Sequence, residues 1–248
     1  MSDTGLKIWN QFPKTDEKYT KAANVDGNKL TSLDGVYMVK LATEVLGPIG
    51  EGWGYSIISE RMDDTKPMML NNEVMKDNGA FVWEKTHTLL IQMWAGTKDN
   101  SFQQYGHTKY RYMTNNGKIY VDHEYAKKSV TDAMKKCLSL LGVCSDVFMG
   151  EFDDHGYKQE AKLENDLKKA DHADEQYTLK IKELRAFVAD KVDAIAMVPN
   201  MEAVGSVYGM ASGKIDREAP ILGLKPEEEK KTLDAAYHEA KKKLEDKA

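Results

Sequence analysis

Cysteine is nearly absent, with two in 248 residues. That excludes a disulfide-stapled scaffold. Cys137 and Cys144 each fall at an apolar-periodic position, which predicts buried thiols and a reducing cytosol. Long apolar runs are missing too. None approaches the ~20 residues of a membrane span. The opening MSDTGLKIWN lacks the apolar stretch of a signal peptide. A cytoplasmic chain with no membrane partner is expected.

Catalytic signatures are equally scarce. No Walker A motif occurs, so there is no sequence case for ATP hydrolysis. GPIGEG (47–52) is glycine-rich but stands between a predicted helix and a predicted strand, the wrong order for a phosphate loop. No CxxC pair, HExxH or GxSxG appears. The six histidines are scattered. GEFDDHGY (150–157) offers Asp153, Asp154 and His155 to a divalent cation such as Mg2+; a solvated acidic loop is the competing reading. The residues do not support an enzyme, and no cofactor is expected beyond that Mg2+ candidate.

What is present is a globular composition, 41% hydrophobic and 30% charged, with charge unevenly placed. The whole chain carries −5. Residues 101–145 hold seven basic and three acidic side chains, whereas 146–154 holds four acids and no base. A basic window in an acidic chain points to a confined anion site. The alternative is a solvated helix face beside a solvated loop.

Residues 1–30 are polar with little periodicity, which predicts an extended arm. SLDGVYMVKLATEVLG (32–47) reads as a helix, with Asp34 or Ser32 as N-cap and Gly47 as C-cap. Its expected inward face is Val36, Val39, Ala42 or Thr43, and Leu46. Strand signals follow from Trp53, then a weaker hairpin region at KPMMLNNEV, a long alternating run AFVWEKTHTLLIQMWAG, and SFQQYGHTKYRYM. Asn116-Gly117 marks a hairpin turn, and KIYVD returns. The expected fold is α+β: a helix, an antiparallel β-meander of four or five strands, and a packed amphipathic helix, with a helical C-terminal region.

The packed helix should run from near His123 to Gly142. Val130, Ala133, Met134, Cys137, Leu138 and Leu141 make one apolar stripe. At about 100° per residue, Lys128 and Lys135 stand at the centre of the opposite face, flanked by Lys127 and Lys136. Tyr105, Tyr110 and Tyr112 interleave with His107, Lys109 and Arg111. Period-two alternation sets Tyr110 and Tyr112 opposite Lys109 and Arg111. Basic side chains on adjoining elements with aromatics nearby suit a single-strand groove. After residue 157 the composition turns charged and helical. Two domains are expected, a core over 1–157 and a helical region over 158–248. In the latter, two short helices precede a last amphipathic one with a Leu233, Ala236, Tyr237, Ala240 and Leu244 stripe.

SVTDAMKKCLSLLGVCSDVFMGEFDD (129–154) resembles the TDALKRA-type helix of the Erf-like phage single-strand annealing proteins, a superfamily that includes Red-beta and the eukaryotic annealing ring. DGVYMVKLATEVLGPIGEGWGYSI (34–57) is similar to that family's Leu-Ala-x-Glu…Gly-Trp segment. The two motifs occur in the family's order and frame residues 32–154. The resemblance implies a β-β-β-α core that assembles into a ring or helical filament. Single-stranded DNA would lie in a basic groove, held by its backbone with bases exposed for pairing. The family's Lys-Arg pair falls on Lys135 and Lys136. Its early-helix basic residue falls at Tyr37, a departure. There Tyr37 would stack or hydrogen bond, or Lys40 one turn on would supply the charge.

The function so implied is ATP-independent annealing of complementary strands in a bacterial host cell, in homologous recombination and DNA repair. No catalytic residue is required. The DNA-binding residues would be Lys127, Lys128, Lys135, Lys136, Lys109, Arg111, Lys40 and Tyr37. The implied partners are single-stranded DNA, the annealed duplex intermediate, further copies of the chain, and a phage exonuclease or host single-strand binding protein. The competing readings are an architectural DNA-binding oligomer and a metal-dependent nuclease using Asp153 and Asp154.

Overall fold

The computed structural model describes residues 6–25 and 28–246. The chain divides into two compact units. One comprises 6–13 and Tyr19–Met149, the other Lys14–Lys18 and 150–246. The expected boundary at 157 thus lies within the second unit, and a short early segment joins that unit as well.

The extended arm predicted over 1–30 is not observed among the described residues; 1–5 and 26–27 lie outside them. Trp9–Gln11 form a 3-10 turn, and β1 (Thr20–Val25) pairs antiparallel with β2 (Asn28–Leu33), Thr20 opposite Leu33. The sequence is polar, but three aromatic anchors suffice. Trp9 lies against Gly142, and Phe12 and Tyr19 pack on the first core.

Helix α1 (Gly35–Leu46) starts at Asp34, whose carboxylate accepts the Val36 N–H at 2.8 Å and the Tyr37 N–H at 3.3 Å. Asp34 and not Ser32 is therefore the N-cap. The buried face is Tyr37, Met38, Leu41 and Ala42. Val36, expected inward, is 78% exposed, while Val39 and Leu46 only flank the core. Burying Tyr37 and Met38 removes more apolar area from water than burying Val36 would.

Strand β3 (Trp53–Pro67) leads into a small finger. Its first hairpin is β4 (Met69–Leu70) and β5 (Glu73–Val74), turning at Asn71 and Asn72 with φ of 53° and 65°. Its second is β6 (Lys76–Asp77) and β7 (Ala80–Phe81), turning at Asn78-Gly79. Positive φ at both central residues is the hairpin geometry that Asn and Gly tolerate. Val82 then breaks the expected long strand, so that β8 runs Trp83–Ala95.

Strands β9 (Thr97–Met113) and β10 (Ile119–Val121) complete a four-stranded antiparallel sheet of order β10-β9-β8-β3. The β9–β10 turn uses positive φ at Gly117 alone, closed by the Thr114 N–H on the Lys118 carbonyl. Leu89, Ile91 and Met93 alternate onto one face of β8, all at most 1% exposed, beside Trp53.

Helix α2 (Tyr125–Leu140) covers that face with Ser129, Ala133, Cys137 and Leu138, while Val130, Met134 and Leu141 flank them. The apolar stripe is as its spacing predicts. Cys137 and Cys144 are buried, and burial pushes the Cys137 thiol up to about 11. A short helix α3 (Ser145–Phe148) ends the first unit.

The second unit packs four helices, α4 (His155–Lys169), α5 (Ala173–Met197), α6 (Met201–Ile221) and α7 (Pro226–Glu245). One 21-residue helix stands where two short ones were expected. Its only proline, Pro220, sits in the last turn and so does not break it. The α7 stripe buries Leu233 and Ala240, with Ala236, Tyr237 and Leu244 beside them, against α5 and α6. Lys14 pairs with Glu164 at 2.8 Å and Glu160 at 3.2 Å, and Asp16 pairs with Lys169. These bonds seat Lys14–Lys18 on α4.

Gly106 fixes how close α2 lies to β9. A Cβ there would fall 2.8 Å from Ala133 N, 2.9 Å from Ala133 Cβ, and onto the Ser129 carbonyl oxygen. Gly106→Ala should force helix and strand apart and destabilise the unit by more than about 2 kcal/mol, at the upper end of overpacking costs. Urea midpoints by circular dichroism measure this; an unchanged midpoint would show that the contact gives way easily.

Candidate nucleic-acid interface

The four α2 lysines were expected to face outward together. Lys127 and Lys128 are exposed and Lys135 and Lys136 partly so, and each is engaged within its own unit. Lys127 Nζ donates to Glu124 at 2.8 Å, Lys128 to Asp122 at 2.6 Å, and Lys136 to Asp132 at 2.8 Å. Lys135 donates to the Leu33 carbonyl at the end of β2. The three acids of the basic window are therefore its own local counter-ions. The surplus charge rests on Lys109, Arg111, Lys118 and Lys135, spread over several elements rather than one helix face.

The pair that the family motif singles out has a backbone role. Before Arg111, β9 has no strand on its β10 side among the described residues, which leaves its edge groups to find other partners. Lys136 Nζ donates to the Tyr105 carbonyl at 3.2 Å, and the Asp132 carboxylate accepts the His107 N–H at 2.9 Å. Together they cap that edge.

Of the early-helix candidates, Tyr37 differs from expectation. Tyr37 is 7% exposed and stacks on Tyr19 with ring centroids 4.0 Å apart. Its ring is part of the core and presents no face to a ligand. Lys40 is exposed and lies 3.6 Å from Glu44 one turn on.

Lys109 and Arg111 do not share a surface. The pairing of β8 with β9 shifts between Lys85/Thr86, where Lys85 opposes Arg111 and Thr86 opposes Lys109. Tyr110 is the extra residue of a bulge, and a bulge interrupts the two-residue alternation. Lys109 accordingly lies on the side of Tyr112, 5.8 Å from its ring centre. Tyr110 turns to Tyr125 at the start of α2, at 4.8 Å. Arg111 donates to the Trp83 carbonyl at 3.2 Å, with its Nε buried and unpaired among the described residues.

The sheet face turned away from α1 and α2 supplies what the helix does not. Along β9, Gln103, Tyr105, His107 and Lys109 are exposed, while Phe102, Gln104, Gly106, Thr108 and Tyr110 between them are covered or partly covered. Across β8, Thr88 donates to Asp63 at 2.5 Å and lies 3.2 Å from His107 Nδ1. Arg61 donates to Asp63 at 2.8 Å and holds its guanidinium 5.9 Å from the Tyr105 ring centre. The Thr88 hydrogen bond, then the Arg61 one, hold the Asp63 carboxyl below its ordinary range. Further along, Gln92 donates to Ser101 at 2.7 Å, beside Trp94.

The exposed β9 residues were legible from alternation alone. Arg61 and Trp94 were not, because their place on this face depends on strand register and on a second bulge at Ile57/Ser59. Asp154, one of the cation candidates, caps α4 by accepting the Tyr157 N–H at 2.9 Å. Among the described residues no three acidic, histidine or cysteine side chains cluster as metal ligands would, and no helix is long and apolar enough to cross a membrane. The chain matches no protein-family model and no curated protein.

The lysine assignments separate by mutation. Lys135→Ala removes a partly buried charged donor from a backbone carbonyl and should cost about 1 kcal/mol of stability. Lys127→Ala, at an exposed pair, should change little. Equal denaturant midpoints for the two variants would contradict the difference. A pH test addresses Asp122, held below its ordinary value of 3.8 first by the Lys128 hydrogen bond and then by the Glu124 N–H. A depressed carboxylate contributes stability fully above 3.8, and loses it as pH falls through the lowered native value. Asp122→Asn should therefore flatten the loss of stability between pH 5 and pH 2, read as urea midpoints across that range.

Proposed function

We propose that this chain is an ATP-independent single-stranded DNA annealing protein that acts in homologous recombination. The observation that carries the reading is the layering of the first unit. The two family-like motifs lie on α1 and α2, which share one core over one face of the sheet. The opposite face presents Gln103, Tyr105, His107 and Lys109 to solvent. Covering one sheet face with both helices leaves the other able to take an extended strand.

The mechanism is templating. One strand is held extended on the protein, a complementary strand is admitted, and the nascent duplex stabilises the complex. No nucleotide is consumed and no bond is made or broken. Backbone contacts such as that of Lys109 carry no sequence information, which suits a protein that must pair any sequence.

Assembly into a homo-oligomer, ring or filament, follows from the same sheet. β3 is an edge strand of 15 residues. Near its bulge, Ile57 and Ile58 are 53% and 47% exposed. An unpaired edge with such an exposed apolar stretch is covered in most proteins, here by a neighbouring copy. The helical second unit is the part available to an exonuclease or single-strand binding protein.

The test is annealing of complementary oligonucleotides followed by fluorescence quenching, without ATP and with chelator. The protein should accelerate pairing well above the spontaneous rate, and light scattering on the same samples should report assemblies larger than a dimer. Binding without acceleration would favour an architectural oligomer. Degradation of labelled DNA in magnesium would favour the nuclease.

A further inference from the structure

The open sheet face carries a row of flat groups that phosphate binding does not require. Tyr105 is 43% exposed. Its ring runs nearly parallel to that of His107, 18° between planes and 6.1 Å between centroids. The Arg61 guanidinium reaches across β8 from β3, to 5.9 Å from the Tyr105 centroid. Further along the face, Gly54 leaves room for the Trp94 indole, whose Nε1–Cζ2 edge fills the space a Cβ would take. Trp94 lines an open groove of about 910 Å3 with Ile58, Gln92 and Lys98.

The charge of this face is complementary to a nucleic acid. Among the described residues its unpaired cations are Lys109 and Lys98, with Arg61 held in an ion pair by Asp63. The acid facing His107 from β3 is Asp63, already satisfied by Thr88 and Arg61. From α2, Asp132 binds the His107 backbone. An occupant that is both anionic and aromatic is favoured over an acidic peptide, which would leave the rings unused.

We infer that the open face of the β3–β8–β9 sheet is a base-stacking platform, on which nucleobases of the bound single strand stack against Tyr105 and against Trp94. This rests on the single-strand reading above and departs from a purely backbone-held strand. Stacking occupies the flat face of a base and leaves its Watson–Crick edge free. A strand held in this way stays available to its complement. Stacking is also indifferent to base identity, because every base has such a face.

The experiment compares an oligothymidylate with an abasic strand of equal length and charge, using wild type, Tyr105→Phe and Tyr105→Ala. Stacking energies of about 1–3 kcal/mol per base correspond to roughly 5- to 150-fold in affinity. Wild type and Tyr105→Phe should prefer the base-bearing strand at least fivefold, and Tyr105→Ala should lose much of that preference. All three should bind the abasic strand alike, since Tyr105 is exposed and its removal leaves the core intact; circular dichroism checks the fold. If wild type binds both strands equally, or Tyr105→Ala keeps the full preference, the platform is overturned while single-strand binding stands. If wild type binds neither strand, the annealing reading falls with it.

Discussion

The close approach of α2 to β9 at Gly106 is the constraint on which the first unit depends. Only a residue without a Cβ lets the Ser129–Ala133 turn of the helix rest on the strand. At that depth the helix does three things. Its stripe of Ala133, Cys137 and Leu138 closes the core over Leu89, Ile91 and Met93. Ser129 reaches the buried His87 ring, at 2.9 Å from Nδ1. Asp132 and Lys136 reach the exposed edge of β9 and satisfy it. A helix held further out would do none of these, and the sheet would lose its edge cap together with its core.

The same depth explains why the basic helix is not a bare cationic surface. Side chains that lie low over a strand find carbonyls and carboxylates before they find solvent. Lys135 and Lys136 end on the Leu33 and Tyr105 carbonyls. The Lys127–Glu124 pair is exposed on both sides, and exposed ion pairs are held by only ~1 kcal/mol or less.

The second unit is organised around an independent apolar core, with Leu184, Ile195, Ile215 and Leu233 at its centre. Its boundary does not follow composition alone. Lys14–Lys18 belongs to it through Glu160, Glu164 and Lys169, and Asn165 donates to the Lys14 carbonyl at 3.1 Å. The chain thus contributes a segment to the second unit between two stretches of the first. No composition window marks this, because five polar residues with one buried threonine look like any linker.

The sequence by itself determined the α+β class, an α1 start at Asp34 or Ser32, the order of the meander, the apolar stripe of α2 and the burial of both cysteines. Each is set by neighbours within a turn or two of helix or by strand alternation, so periodicity and capping chemistry suffice to read it. It also determined which β9 residues share a face up to Lys109. Tertiary structure decided the rest. Tyr37 went inward because it found Tyr19, 18 residues earlier. The two bulges changed which residues share a face, and one extra residue reverses every side chain beyond it. Besides Asp132 on the helix itself, the α2 lysines found carbonyls on β2 and β9 and acids in the β10–α2 turn, which a helical wheel does not contain. Spacing along the chain reports what a residue can face; only packing reports what it meets there.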